Sequence, residues 1–338
     1  MYQQDGRPIR IGVLDVGSNS AHLRIIDAYP GGPPLPVYRH KSPTYLAEAI
    51  DERGCLTRGG LDRLTDAVRQ AGDAARRQRV DELIVLATAT LRQAVNAAEI
   101  HDHVHKASGI DLCVLSGEDE ARLTFLAAHR WLGWSVGPFM VIDIGGGSTE
   151  IAYGRDEDPD WAVSVPVGAG QLTRAMLPQH PARNSDVAAA REHVAHALSA
   201  VRDRLKVDAG TPAVATSKTF KQLARLTGAA PWKRGLQIRR RLTRQQLHDQ
   251  ISRLAKLSPA QRATLKGIAT ARSRQILAGA IIADTVMKTL GLKQLDVLGW
   301  GVREGILLRR LGMLSNIDRD QQLTLLRDAH QPVRHIQR

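Results

Sequence analysis

The chain opens on short stretches of alternating apolar and polar residues, each too brief to be a helix. Residues 10–17 read as a β-branched strand closed by a polar turn, and 21–29 as a second strand. A weaker third strand near 36–40 follows the breaker Pro30-Gly31-Gly32-Pro33-Pro34. The period then lengthens: Leu61, Leu64, Val68, Ala71 and Ala75 share one face of a helix that runs to Arg77. Residues 82–87 read as a buried strand, 96–107 as a helix with Asn96 at its N-cap, 111–115 as a strand and 118–132 as a helix. This order describes an α/β domain in which an antiparallel meander feeds a parallel portion.

The pattern then begins again. Residues 139–144 form an apolar strand, Gly145-Gly146-Gly147-Ser148 a turn, and 149–153 a second strand, with a third near 162–165. Helices are expected over 185–205, 218–227, 243–257 and 273–290, and the remaining strands at 213–216 and 295–298. At 338 residues the chain is long for one core, since single cores stop growing near ~250–300 residues. Two domains are therefore expected, at 1–130 and 131–312, followed by a polar basic tail at 313–338.

The repeat points to chemistry. Asp15-Val16-Gly17-Ser18-Asn19-Ser20 and Asp143-Ile144-Gly145-Gly146-Gly147-Ser148 occupy the same place in the two units, between strand and strand. A Rossmann turn is excluded because no helix follows the glycines. A P-loop is excluded because there is no GK[ST]. A Gly-rich turn of this kind lets backbone N–H groups converge on an anion with no Cβ in the way. Gly17, Ser18, Asn19, Ser20, Gly145, Gly146, Gly147 and Ser148 are therefore candidate phosphate ligands. The aspartates at the strand ends, Asp15 and Asp143, suit a divalent cation beside that anion. Glu150 joins them if the turn folds strand onto strand, and Mg²⁺ needs only one or two carboxylates plus water and phosphate oxygens.

Composition narrows the partners. With 47 Lys+Arg against 34 Asp+Glu the formal charge is +13, a field that attracts polyanions. No run interleaves aromatic with basic residues and no zinc-finger module is present, so nucleic acid is not expected. Cys55 and Cys113 have no CxxC spacing and read as free thiols of a reducing compartment. The N-terminus lacks an apolar signal region, and the longest apolar stretch, 276–286, is interrupted by Asp284 and too short to span a bilayer. A soluble cytoplasmic protein with no membrane partner is the expectation.

These residues resemble the phosphate loops of the actin-like ATPase superfamily, and more closely its exopolyphosphatase / guanosine pentaphosphate phosphatase branch, the Ppx/GppA family. Leu14-Asp15-Val16-Gly17-Ser18-Asn19-Ser20 is similar to the family's opening loop, and Ala87-Thr88-Ala89-Thr90-Leu91-Arg92 to its arginine segment. Leu115-Ser116-Gly117-Glu118-Asp119-Glu120-Ala121-Arg122 resembles its acidic segment. Val141 to Glu150 resembles its second loop, and Gly301-Val302-Arg303-Glu304-Gly305-Ile306 its closing segment. The resemblance covers about residues 10–312 in the family's order. It implies two actin-like (ribonuclease H-like) α/β domains facing across a cleft, in the short form without the extra helical portion of longer members. It implies an enzyme that uses Mg²⁺ or another divalent cation to release terminal orthophosphate from inorganic polyphosphate. Guanosine pentaphosphate, which also ends in a phosphoanhydride, is the alternative substrate. A homodimer is what the family suggests. One departure stands in Ala215-Thr216-Ser217-Lys218-Thr219, where Lys218 occupies the place of a glycine in many relatives. Together with the short length it tilts the reading towards polyphosphate.

By the same resemblance Glu120, before Ala121-Arg122, is the water-activating base. From the residues alone, Ser116 followed by Glu118, Asp119 and Glu120 is also an ordinary helix start, its acids complementing the dipole. The two readings are compatible. Arg92, just past the strand 82–87, falls where clefts open, and a guanidinium grips phosphate oxygens in pairs. Lys218, at a helix start, resembles a further phosphate contact. A non-catalytic sensor of phosphorylated nucleotides is the alternative of another class. Glu120, Asp143 and Glu150 argue against it, because holding an anion calls for cations. His101, His103 and His105 lack a third ligand of matching pattern and read as a solvated helix face, as do His193 and His196. Lys233 and Arg234 with Arg239-Arg240-Arg241 read as a solvated basic surface.

Overall fold

The computed structural model describes residues 8–29, 33–87, 89–201, 204 and 210–313. Thr88, the first half of the breaker (30–32) and the tail beyond Met313 lie outside the described residues.

Two mixed sheets carry the fold. Strands β1 (Ile9–Val16), β2 (Ser20–Ala28), β3 (Tyr38–Pro43), β4 (Glu82–Ala87) and β5 (Cys113–Val114) form the first, in the order β3-β2-β1-β4-β5. The second holds β6 (Phe139–Ile144), β7 (Thr149–Gly154), β8 (Trp161–Val165), β9 (Ala213–Ala215), β10 (Arg241–Thr243) and β11 (Gln294–Val297). Its order is β10-β11-β9-β6-β7-β8. β1 pairs antiparallel with β2 and parallel with β4; β6 pairs antiparallel with β7 and parallel with β9. Strand for strand, β8-β7-β6-β9-β11 repeats β3-β2-β1-β4-β5, so the echo in the sequence is a repeat of topology. β10 is the addition, antiparallel on the edge of β11. This is the actin-like, ribonuclease H-like α/β class.

One face of the first sheet packs Leu14, Val16, Leu23 and Ile25 against the helix Arg58–Arg77. Leu64, Val68, Ala71 and Ala75, the apolar stripe read from the sequence, are that helix's buried face. The second sheet packs one face against Asn184–Ser199, Ser217–Leu226, Arg244–Ala255 and Ile276–Thr289. Asp284, in the middle of the most apolar of these helices, is held by Arg191, Arg244 and His248 at 3.7, 3.4 and 3.1 Å.

The two remaining faces are covered by exchange. Helix Gly117–Leu132 follows the first sheet in the chain but packs on the second. Its Ala121, Phe125 and Ala128 meet Phe139, Val141, Ala152 and Ala162, with the rings of Phe125 and Phe139 stacked at 4.5 Å. The helix over 302–313 follows the second sheet and returns to the first, setting Ile306, Leu307 and Leu311 against Ile11, Val13, Ile26 and Leu86. The two helices meet where Gly305 lies against the backbone of Leu123, with no room for a Cβ. Where the sequence reading divided the chain at 130/131, the packing interleaves the halves.

Some expectations are corrected. Asn96 does stand at the N-cap of the helix Ala97–Ser108, but its side chain makes no capping bond there. Its side-chain amide instead exchanges bonds of 2.8 and 3.2 Å with the backbone of Leu56, spending its polar atoms on another loop. The arginine run is not a solvated surface at its centre. Arg240 is 2% exposed, lies 3.8 Å over the ring of Trp232 and donates to the carbonyls of Ala230, Pro231, Gly235 and Ile238. A guanidinium has donors enough to satisfy the carbonyls that such a loop leaves open. Arg239 and Arg241 flank it on Asp296. No helix among the described residues is long and apolar enough to cross a membrane.

A methyl group at Gly305 would strike the Leu123 backbone. Gly305→Ala is therefore expected to cost about 1–3 kcal/mol, read as a lower thermal midpoint. An unchanged midpoint would mean that the two crossing helices are not held in contact.

Candidate active site

The β1–β2 and β6–β7 turns are built alike. The Gly17 N–H donates to the Ser20 carbonyl at 3.2 Å, and the Gly145 N–H to the Ser148 carbonyl at 2.9 Å. Their other carbonyls are tied back into the protein. Asn19 accepts from the Thr44 N–H and Ser18 from the Ala47 N–H, while Gly145 and Gly146 accept from Ala169, Gly170 and Gln171. No bond from the N–H groups of Ser18, Asn19, Gly146 or Gly147 is found among the described residues. The turns touch: the side chain of Ser18 fills the space where a Cβ on Gly146 would stand. Gln275 bridges from the second half by donating to Asn19 Oδ1 at 2.9 Å, and Gln93 donates to the Gly147 carbonyl at 3.2 Å. The structure thus brings the two predicted loops together. Ser20 is bonded to His22 at 2.7 Å and Ser148 to Glu150 at 2.5 Å, so the loops' capacity for an anion lies in their backbone.

Four carboxylates gather beside the turns. Asp143 and Glu150 are cross-strand partners in β6 and β7. Thr216 donates to Asp143 Oδ2 at 2.7 Å, and Ser164 joins Ser148 on Glu150 Oε1 at 2.9 Å. Glu120 stands in the first turn of helix Gly117–Leu132, whose N-cap Ser116 accepts the Asp119 N–H at 3.0 Å. Arg92 lies 3.6 Å from Glu120 Oε2 and is itself fixed by donating to the Leu115 carbonyl at 2.6 Å. Asp15 lies 3.4 Å from the guanidinium of Arg303.

Burial and mutual repulsion raise these groups. Glu120 is held well above the usual carboxylate range, first by burial and then by Glu150 and Asp143, with Arg92 opposing. Glu150 is pushed up to about 7 by burial, against the bond from Ser148. Asp143 is raised by burial despite Thr216, Lys221 and Arg272. Asp15 is raised by burial despite Arg303, Arg24 and Arg272. Glu120 Oε2 is buried without a hydrogen-bond partner, an unmet acceptor that a water or a cation would satisfy.

Cations ring this centre, several of which the sequence reading did not single out. Within the closing segment, Glu304 accepts the Gly301 N–H at 2.9 Å and pairs with Arg24, while Arg303 faces Asp15. Lys221 donates to the Gly299 carbonyl at 2.7 Å; burial and then Arg303 and Arg24 bring it down to about 7. Arg272 is lowered by burial and opposed by Asp143 and Asp15. Lys218, which was singled out, stands at the rim, lowered by partial burial and by Arg272, Lys41 and Arg303. Ser217 before it has a φ of 61°, the left-handed backbone that glycine adopts freely.

No group of three or more His, Cys, Asp or Glu side chains among the described residues is arranged to hold a metal. The donor chemistry nevertheless fits a hard cation that keeps its own waters. Asp143, Glu150 and Asp15 are buried carboxylates whose repulsion a divalent ion would relieve, and Glu120 Oε2 lacks a partner.

The chain matches the Ppx/GppA phosphatase family over residues 25–314. It is 43% identical over 305 residues to Exopolyphosphatase 1 of Mycobacterium tuberculosis, covering 90% of this chain and 88% of that protein. A guanosine-5'-triphosphate,3'-diphosphate pyrophosphatase of Aeromonas hydrophila is 26% identical over 329 residues, 94% of this chain and 63% of that protein. An exopolyphosphatase structure from Cytophaga hutchinsonii aligns with a TM-score of 0.79 at 22% identity, over 90% of this chain and 98% of that one. That likeness speaks for the fold.

The raised Glu150 has a consequence for stability. A carboxyl held above its unfolded value near ~4.3 supports the fold fully below that value, and this support is lost as pH rises through about 7. Against wild type, Glu150→Gln should therefore gain thermal midpoint as pH rises from about 5 to about 8 in a buffer free of divalent cations. A difference that stays flat with pH would mean that Glu150 ionises as it does in the unfolded chain.

Proposed function

Because the chain belongs to the Ppx/GppA phosphatase family, we propose that it is an exopolyphosphatase, releasing terminal orthophosphate from inorganic polyphosphate. The observation that carries this reading is Glu120, its buried oxygen unmet, beside two turns whose amides are unspent. The terminal phosphates rest on the N–H groups of Ser18, Asn19, Gly146 and Gly147 in the two turns, with Arg92 and Lys218 at their oxygens. Glu120, its carboxyl raised above the usual range by burial, is placed to take the proton of a water attacking the terminal phosphorus. The terminal P–O bond breaks as water adds, orthophosphate leaves, and a chain shorter by one unit remains. Positioning and charge stabilisation carry most of phosphoryl transfer, so the turns should matter as much as the base. Asp143, with Glu150 and Asp15, would hold Mg²⁺ or another divalent cation, which would offset phosphate charge. The two sheets act as two domains closing on the chain end, with the exchanged helices between them.

Removal of the 5′-terminal phosphate of guanosine pentaphosphate is the second reading, favoured by the more distant likeness to the Aeromonas hydrophila protein. Phosphate release from short and long polyphosphate, guanosine pentaphosphate and ATP, measured with Mg²⁺, separates the two. Release from polyphosphate is expected, and Glu120→Gln should lower it by ~10²–10⁴-fold. Release from guanosine pentaphosphate alone would favour the second reading. Binding without release from any substrate would leave a sensor of phosphorylated nucleotides.

A further inference from the structure

Beside the catalytic carboxylates lies a pocket of about 420 Å³. Three of the residues that line it also face the site. Arg92 is 3.6 Å from Glu120, Ser164 donates to Glu150 at 2.9 Å, and Gln93 donates to the Gly147 carbonyl of the second turn at 3.2 Å. The same side chains thus form the floor of the pocket and a wall of the site. At Gly117, where the helix that carries Glu120 begins, the wall leaves no room for a Cβ, which would strike Ser164 and stand 3.3 Å from Arg92 Nη2. Further out, Arg204 pairs with Glu118 at 3.1 Å, and both are about half exposed, so the pocket opens to solvent there. Arg303 and Arg272, the cations beside Asp15, do not line it, and neither does Lys218 at the rim of the cleft. The pocket is therefore a different opening from the one at Lys218.

A linear substrate cut at its end gives a second opening a use. Water adds to the terminal phosphorus, so the new orthophosphate lies innermost and the shortened chain still lies between it and the way in. With one mouth, the chain must dissociate before orthophosphate can. A gap left by loose packing would also have volume, but it would be walled mainly by apolar side chains. Here two arginines, a glutamine, a glutamate and two serines line it. Arg92 and Arg204 against Glu118 leave it cationic, and arginine grips phosphate oxygens in pairs. A water takes ~30 Å³ of liquid, so the volume admits an anion together with part of its hydration shell.

We propose that this pocket is a second anion site, which takes orthophosphate on its way out. The product passes from the turns across Arg92 and leaves beside Arg204, while the shortened chain still holds the entrance. Arg92 belongs to both sites, because a guanidinium has donors enough to bond an anion on either side. Its side chain turns to let the anion through, and no backbone has to move. This rests on the reading of the cleft as a site that cleaves a phosphate chain from its end.

The test is the pattern of inhibition by added orthophosphate while long-chain polyphosphate is hydrolysed with Mg²⁺. With a second mouth, orthophosphate enters while a chain is bound and lowers the maximal rate even at saturating polyphosphate. With a single mouth it leaves last, and saturating polyphosphate relieves its inhibition completely. Wild type should show the first pattern. Pro166→Trp and Val201→Trp, which fill the pocket from two different walls, should each convert it to the second. They should also lower steady turnover roughly tenfold while leaving the first cut, followed by rapid quench, unchanged. Pro166→Ala leaves the pocket open and should behave as wild type. A purely structural role for these positions would change rate or stability without changing the pattern. Fully relieved inhibition in wild type, or an unconverted pattern in both tryptophan variants, would overturn the exit site. If the protein hydrolyses nothing, binding decides. Orthophosphate added to wild type saturated with tripolyphosphate, free of divalent cations and followed by phosphorus NMR, should still bind, and the tryptophan variants should not bind it. That result would uphold the site and sink only the activity, while no binding to wild type would overturn the site.

Discussion

Asp15, Glu120, Asp143 and Glu150 repel one another in a cleft too dry to screen them, and much of the surrounding structure answers that repulsion. Hydroxyls take part of the charge: Thr216 on Asp143, Ser148 and Ser164 on Glu150. Guanidinium groups take more, with Arg92 near Glu120 and Arg303 near Asp15. What is left over is a site that favours protons and cations. Such a site raises a carboxyl above its usual range, which strengthens it as a base once ionised, and it is an unfavourable place for a bare anion. A phosphate group therefore has to meet backbone amides and a counter-ion there, which is what the paired turns and the carboxylate set would supply.

The exchanged helices connect this electrostatic problem to the fold. Helix Gly117–Leu132 delivers Glu120 from its first turn while packing on the second sheet. The helix over 302–313 delivers Arg303 and Glu304 from its first turn while packing on the first. Gly305 lets the second helix come close against the backbone of Leu123 in the first. A closing segment that reads as a short motif in the sequence is thus a set of separate physical duties. Gly301 lies beside Thr216 and Asp143, Val302 borders the core, Arg303 faces Asp15, Glu304 anchors the helix start and Arg24, and Gly305 permits the crossing.

Legibility in the sequence follows how local each feature is. The strand-turn-strand repeats were readable because alternation, glycine and a terminal aspartate all lie within a few residues. The stripe on helix Arg58–Arg77 was readable for the same reason. Partner choice was not. Nothing near Arg240 announces that its guanidinium is stacked on Trp232, and nothing near Asn96 points to Leu56. The cations Lys221, Arg272 and Arg24 come from three distant segments, and only the fold brings them round one centre. Lys218 was noticed because it breaks a motif, while Lys221, one turn later on the same helix, breaks none.

The arrangement of charge gives the substrate a direction. Acidic groups lie at the centre of the cleft, with Arg92, Arg303, Lys221 and Arg272 around them. A polyanion is attracted to the protein by the net positive field without help. It enters the acidic end only where a counter-ion and the turn amides compensate its charge. On the proposed reading, one end of a chain therefore reaches Glu120 while its body stays outside the cleft. Cleavage from the end then follows from electrostatics rather than from a wall, because an internal unit would have to bring two flanking segments, not one, past the same carboxylates.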